Sequence, residues 1–226
     1  MIPIFFGPEF YKFSIMKSLI QVCLVLLPAI PVTGQDNRNS EAYWKNYTSV
    51  LSYELKLAPV SSTKHNFHFR IWHPGQVVDI WQDSLSKFHG EITCFAREYD
   101  ESNLGKRNFY GERTTIDQVW SAEIHDLFIS SGAQSIPTSD LIPGWDNELG
   151  DIAYVFEQFV ENQYGIKTYI SPGLQSSVQE AATIQAYISQ IGKTLRLKKV
   201  FRVFSKSIPF YCYTIGTRAV SCKKIK

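Results

Sequence analysis

The sequence predicts an α+β fold in which an antiparallel meander of about four strands precedes a helix, a β-hairpin, a second helix and a C-terminal hairpin. Three observations lead to this prediction: short segments of alternating apolar residues, turn residues between them, and two longer stretches with helical periodicity. The composition agrees, since 44% of the 226 residues are hydrophobic and the net charge is only +2. These values exclude a disordered chain and argue against a nucleic-acid binder, which usually carries a strong basic excess.

Residues 1–34 indicate a signal peptide. Lys17 precedes a short apolar run over residues 19–30, and Val32 and Gly34 then occupy the −3 and −1 positions of a cleavage site. The run is too short for a membrane span, which needs roughly 20 apolar residues. We therefore expect an exported protein, periplasmic or extracellular, that does not span the membrane after cleavage. Residues 1–15 lack a usual signal n-region and are interpreted as a mis-assigned start.

The rest of the chain is expected to form one continuous domain, with the meander in residues 35–113 and an α+β part in residues 114–226. The first strand of the meander is predicted at residues 50–58, where apolar and polar residues alternate. The apolar members of this alternation are Leu51, Tyr53, Leu55 and Leu57. Residues 100–113 are polar and are predicted to form a loop.

Two further strands, residues 67–73 and 76–82, are predicted to pair across a Pro-Gly turn. Pairing His73 with Gln76 makes one face entirely apolar and gathers the charged pair on the other, and a slip by one residue would destroy both patterns. The apolar face is then formed by Phe67, Phe69, Ile71, Val78 and Ile80. With a fourth strand at residues 89–99, the opposite face contains six candidate binding residues, which are His68, Arg70, Trp72, Asp79, Trp81 and Phe95.

This second face has two interpretations. If its aromatic rings are exposed, they form a platform for a protein, peptide or glycan ligand, because flat rings offer large contact area at low entropic cost. If a helix covers them, they belong to the core. The opposite placement of charged Arg70 and Asp79 is expected in either case, since it pairs them across the two strands.

The α+β part is predicted to alternate helices with strands, because two capping-box patterns introduce stretches of helical periodicity. The first predicted helix begins at the capping box of residues 115–118 and ends at about residue 132, and the second begins at the capping box of residues 177–180 and ends at about residue 192. An irregular connection is predicted at residues 133–150. Strands are predicted at residues 152–160, 164–170, 199–204 and 210–215. Apolar residues on both faces of the segment at 152–160 indicate a central, covered strand.

Three cysteines remain after removal of the predicted signal peptide. Cys212 and Cys222 flank Gly216-Thr217, and symmetric pairing about this turn would place them directly opposite each other. We therefore expect a disulfide between them and a buried thiol at Cys94, with three buried free thiols as the alternative.

Catalytic motifs are scarce. Glu157 lies on an otherwise apolar strand face, and Asp146 and Asp151 lie in the polar connection before it, so these three carboxylates are the weak candidates for a hydrolase. The histidines lack the convergent spacing of a metal site, and no cofactor-binding fingerprint is present. The sequence favours an exported, non-catalytic binding or accessory protein that uses an aromatic-rich β surface or a sheet–helix cleft. The alternatives are a secreted hydrolase, and a structural envelope component or small-ligand carrier.

Overall fold

The computed structural model describes residues 40–101, 108–216 and 219–223, which contain four α-helices and eight strands of an antiparallel sheet. The helices are α1 (Glu41–Glu54), α2 (Gln118–Ser130), α3 (Gln179–Thr194) and α4 (Leu197–Ser207). The strands are β1 (Phe67–His73), β2 (Gln76–Gln82), β3 (Phe88–Glu98), β4 (Phe109–Ile116), β5 (Ala153–Val160), β6 (Gln163–Ile170), β7 (Cys212–Ile215) and β8 (Ala219–Cys222). This mixed architecture is compatible with the predicted α+β class, although the arrangement differs in detail.

The sheet has the strand order β6-β5-β1-β2-β3-β4, and the β7–β8 hairpin also pairs with β3. Arg97 of β3 pairs with Phe109 of β4 on one edge and with Thr214 of β7 on the other. The hairpin therefore continues beside β3 where β2 ends. Strand β5 lies between β1 and β6, which is the central position predicted for residues 152–160.

The predicted pairing of β1 with β2 is confirmed residue by residue. His73 lies opposite Gln76, and Arg70 lies opposite Asp79. The predicted apolar face is buried in the larger of two hydrophobic cores. The period of two along each strand was sufficient to determine this register, because any slip would have moved apolar residues to the polar face.

Helices cover both faces of the sheet. On one face, α2, α3 and α4 pack on the larger core through residues such as Phe128, Tyr187 and Phe204. On the other face, α1 packs alone on a smaller core that includes Trp72 and Phe95. Trp72 and Phe95, which the sequence placed on the mixed face, are thus enclosed between α1 and the strands.

The strand predicted at residues 50–58 is wrong, because the segment belongs mostly to α1 and to the turn that follows it. The hydroxyl of Ser40 accepts a hydrogen bond from the Tyr43 backbone N–H at 3.1 Å and caps the helix. Tyr53, which the alternation placed with the apolar residues, is 83% exposed. The buried positions instead follow helical spacing, at Trp44, Thr48, Leu51 and Leu55.

The meander also ends differently. Its fourth strand is β4, which begins at Phe109 inside the segment predicted to be a loop, and the predicted capping box at residues 115–118 does not form. Asp117 is the N-cap of α2, and its carboxylate accepts from the Val119 N–H at 2.8 Å. Strand β4 has little apolar alternation because it lies at the sheet edge, where residues 111–115 are exposed.

Two predictions near the C-terminus are corrected as well. Helix α3 begins after Val178, which makes no side-chain cap, so the predicted capping box at residues 177–180 is absent. Residues 199–204, predicted to be a strand because they are rich in valine and phenylalanine, belong to α4. There, Leu197 and Phe204 are buried two turns apart while Val203 is exposed, which is the pattern of an amphipathic helix.

The C-terminal hairpin pairs Cys212 with Cys222, and a disulfide joins them. Cys94 is buried and forms no disulfide. The predicted signal peptide, residues 1–34, lies outside the described residues, as do Thr217 and its neighbour in the turn. Within the described part of the chain, no helix combines the length and the apolar character needed to cross a membrane.

Candidate functional site

A buried network of charged and polar side chains lies between α1 and the sheet, and Arg70 is at its centre. The Arg70 side chain is 1% exposed. Its Nε and Nη2 donate to Asp79 Oδ2 at 2.9 and 2.6 Å, and Nη2 also donates to the Ala58 carbonyl at 2.9 Å. Nη1 donates to Ser52 Oγ at 3.4 Å and so connects the network to α1.

Strand register explains why these charges meet. Arg70 is directly opposite Asp79 on β2 and directly opposite Glu157 on β5. The three neighbouring strands therefore place these side chains in one row, with the cation between the two carboxylates. Residues that face each other across strands point to the same side of the sheet. The row therefore faces α1.

Asp79 is ionised within this network. Burial alone raises the pKa of the Asp79 carboxyl, but the charge of Arg70 and the hydrogen bond from His68 Nε2, at 2.7 Å, outweigh it and hold this pKa below its ordinary value. A buried carboxylate requires such partners, since an unpaired charge in the interior is strongly unfavourable.

Glu157 occupies the other end of the row and is 6% exposed. Its Oε2 accepts from Trp72 Nε1 at 2.6 Å, and its Oε1 accepts from the Tyr164 hydroxyl at 3.0 Å. Arg70 Nη1 lies 3.9 Å from Oε2. Burial, together with the charge of Glu157 and the hydrogen bond to it, raises the pKa of Tyr164, so its phenol stays protonated and remains a donor.

Glu157 and Tyr164 also line an open cleft of about 780 Å³ between the C-terminal half of α1 and the sheet. Thr48, Ser49 and Ser52 of α1 line the same cleft, which therefore presents several hydroxyl groups around one carboxylate. Lys45 lies at its mouth, with Nζ 5.6 Å from the centre of the Tyr164 ring. The volume is within the range of small-molecule sites.

The six candidate binding residues do not form an exposed platform. His68, Arg70, Trp72, Asp79 and Phe95 are all buried, with exposures of 1–7%. Helix α1 covers the two rings of Trp72 and Phe95, since Trp44 and Leu51 pack in the same core.

Trp81 contacts His68, with ring centroids 6.3 Å apart, but remains partly exposed. Its ring stacks against two imidazoles, with centroid distances of 6.0 Å to His65 and 5.8 Å to His89. It does not line the cleft.

The three candidate carboxylates are not brought together. Asp146 and Asp151 are exposed residues of the connection before β5, and neither lines the cleft that contains Glu157. Asp146 Oδ1 instead accepts from the Glu148 backbone N–H at 2.9 Å. Within the described residues, Glu157 is the only acid that lines this cleft, so the paired carboxylates of glycoside hydrolysis are not available there.

Sequence reasoning missed the side chains that α1 brings to the cleft, chiefly Lys45, Thr48 and Ser52. The cause is the strand predicted at residues 50–58. A signal was nonetheless present: Ser40 precedes an acidic residue, Glu41, in the pattern of a helix N-terminus.

No metal centre accompanies the site: in the described part of the chain, no group of three or more His, Cys, Asp or Glu side chains could hold a metal ion. No protein-family model matches the chain, and no curated protein is significantly similar to it in sequence.

Proposed function

We propose that this chain is an exported, non-catalytic binding protein that holds a short saccharide in the cleft between α1 and the sheet. The observation that carries the proposal is the position of Glu157 at the cleft wall, where Trp72 and Tyr164 fix the orientation of its carboxylate. A carboxylate has about four acceptor sites, and two donors leave capacity for ligand hydroxyls.

The surrounding chemistry supports a neutral ligand rich in hydroxyl groups. Ser49 offers one donor and two acceptor lone pairs, Ser52 keeps its O–H donor while it accepts from Arg70, and Thr48 keeps its lone pairs while its O–H donates to the Lys45 carbonyl at 3.4 Å. Together they match the mixed donor and acceptor character of sugar hydroxyls. The Tyr164 ring adds a flat apolar surface at the same cleft. Export is part of the proposal and is supported by the Cys212–Cys222 disulfide, a bond typical of oxidising compartments.

We expect no hydrolysis of the bound saccharide, because the Glu157 carboxylate is held by hydrogen bonds and has no partner acid in the part of the cleft that the structure describes. Both of its oxygens already accept hydrogen bonds, and the cleft supplies no second carboxylate among the described residues. General acid–base cleavage of a glycosidic bond needs two such groups in distinct protonation states. We therefore expect a bound saccharide to be released intact.

The test is a titration of the isotope-labelled protein with chitotriose, cellotriose and maltotriose, followed by NMR. At least one trisaccharide is expected to shift the indole Nε1–H resonance of Trp72, because this proton is bonded to Glu157. Chromatography of the same samples is expected to recover the trisaccharide unchanged.

Variants locate the binding. Glu157→Gln and Tyr164→Phe should each weaken binding about tenfold, since hydrogen bonds to a charged group contribute about 1.5–3 kcal/mol. Glu148→Gln, in an exposed loop outside the cleft, is the matched control and should bind as the parent does. The proposal fails if no trisaccharide shifts the Trp72 resonance, if both cleft variants bind normally while folded, or if the sugar is cleaved.

A further inference from the structure

The two long edges of the sheet differ. At the β6 edge, the hydroxyl of Thr138 bonds both the N–H and the carbonyl of Thr168, each at 3.2 Å, so a loop occupies that edge at Thr168. At the opposite edge, β4 pairs with β3 from Phe109 to Ile116, and no described strand pairs with its outer side. Alternate residues of this 8-residue strand direct their N–H and C=O groups outward.

A groove accompanies this open edge. Two adjoining cavities, of about 360 and 560 Å³, lie between β4 and the junction of α3 with α4. They share Thr114 of β4 and Leu195 and Arg196 of the junction. Buried apolar residues, including Ile92 and Phe204, line them. A chain added alongside β4 would therefore find backbone partners and an apolar groove together.

The groove is positively charged. Lys193, Arg196 and Lys199 line it, and in the described part of the chain none of these three side chains forms a hydrogen bond or ion pair. The groove also contains two carboxylates, Glu112 and Asp117, so its formal net charge is +1. Glu112 accepts from Ser207 and Tyr110 at 2.6 and 2.5 Å, and Asp117 caps α2.

We propose that the β4 edge and its groove bind an extended acidic segment of a partner protein by strand addition. The ladder of main-chain hydrogen bonds would supply affinity, and the three cations of the groove, which outnumber its two carboxylates, would select acidic side chains on the face of the segment above them. The same cations disfavour a basic strand, since like charges brought together across an interface are unfavourable. The proposal is independent of the saccharide cleft, which lies on the α1 side of the sheet.

Fluorescence anisotropy of labelled peptides on the full chain tests this directly. The probe is a peptide of about eight residues that alternates glutamate with valine, so that all its glutamates lie on one face of a strand. One control peptide replaces every glutamate by lysine. A second keeps the acidic sequence but is N-methylated at alternate residues, which removes the N–H groups that one edge presents. We expect the acidic peptide to bind and both controls to bind at least about tenfold more weakly.

Charge reversal in the protein provides the second measurement. Arg196→Glu/Lys199→Glu should weaken binding of the acidic peptide at least about tenfold and strengthen binding of the lysine peptide. Lys64→Glu/Lys87→Glu makes the same change in net charge at exposed positions outside the groove and should bind as the parent does. Circular dichroism spectra and melting curves verify that both variants are folded.

Hydrogen exchange locates the contact. Bound acidic peptide should protect the outward-facing amides of β4, at every second residue between 109 and 116, and leave those of β6 unchanged. The proposal is overturned if the acidic and lysine peptides bind equally, if N-methylation has no effect, or if protection appears elsewhere. It is also overturned if the chain dimerises through β4 and excludes the peptide, since the occupant would then be a second copy.

Discussion

Replacing Asp79 by asparagine would remove the charge that compensates Arg70 beneath α1. The side chains of Arg70 and Asp79 are 1% and 10% exposed, and two hydrogen bonds of 2.9 and 2.6 Å join them. Asparagine preserves the size of the side chain, but it leaves the guanidinium with Glu157, at 3.9 Å, as its nearest remaining acid. Removing one partner of a buried pair costs about 3–5 kcal/mol, and the residual contact with Glu157 favours the lower end.

Urea unfolding followed by circular dichroism and tryptophan fluorescence measures this loss. At pH 7, we expect Asp79→Asn to lower the free energy of unfolding by about 3 kcal/mol. In a chain of this size, the melting temperature should fall by about 6–12 °C. The double variant Arg70→Met/Asp79→Leu should recover only part of the loss, because it removes the unpaired guanidinium but leaves the buried Glu157 carboxylate with neutral donors alone.

The pH dependence has a definite sign. The pKa of Asp79 is lower in the folded protein than its ordinary value of 3.8, so the folded state binds fewer protons than the unfolded state near that pH. The stabilisation is therefore complete above pH 3.8 and is lost as the pH falls through the folded-state pKa. Parent and Asp79→Asn stabilities should converge in this acidic range.

Asp126→Asn is the matched control, since its side chain is 77% exposed and its neighbour His125 is adjacent in sequence. It should change stability by less than about 0.5 kcal/mol. If Asp79→Asn costs less than about 1 kcal/mol at pH 7, or if its cost does not depend on pH, the charge network does not contribute as described.

Three further predictions concern packing, acid sensitivity and the disulfide. Gly90→Ala should lower the free energy of unfolding in urea by about 1–3 kcal/mol, because the added Cβ would lie 2.7 Å from Ile80 Cδ1. Gly192→Ala in α3 is the contrasting variant: its added Cβ would meet no atom within 4 Å, so it should raise the free energy of unfolding by about 0.5–1 kcal/mol. Burial lowers the pKa of His73 to about 4, so folding stability should decrease between pH 6.5 and 4, and His73→Phe should reduce this decrease when the two stability–pH curves are compared. Reduction of the C-terminal disulfide, whose cysteines are 10 residues apart, should lower the unfolding free energy by up to about 3 kcal/mol; an unchanged value would show that the hairpin unfolds independently of the sheet.

The β1–β2 hairpin was predictable because one local rule decides it. Neighbouring strand residues point to opposite faces, so the apolar pattern of each strand and the short turn allow a single register. Arg70 and Asp79 were paired correctly for the same reason. Their third partner, Glu157, was not predictable, because β1 and β5 are far apart in sequence and no short-range pattern states which strands become neighbours.

Helix α1 shows where local patterns become ambiguous. Leu51 and Leu55 lie on one face in a helix, at spacing i, i+4, and also on one face in a strand, at an even spacing. Tyr53 distinguishes the two structures, since it is exposed in the helix and would be buried in the strand. The segments that form β4 and α4 were predicted wrongly for related reasons. An edge strand needs few apolar residues, so β4 resembled a loop. A segment rich in valine and phenylalanine suits either a strand or a helix when only one of its sides is buried, so α4 resembled a strand.

The sequence by itself determined the mixed class, the hairpin register and the pairing of Arg70 with Asp79, because these depend on periodicity within a few neighbouring residues. Only the tertiary structure decided that α1 covers this pair, that Glu157 extends it into a row and lines a cleft, and that no strand of the described residues pairs with the outer side of β4, beside three cations. Each of these depends on contacts between segments that are distant in the chain, and such contacts are selected by the combined burial of apolar surface rather than by local sequence.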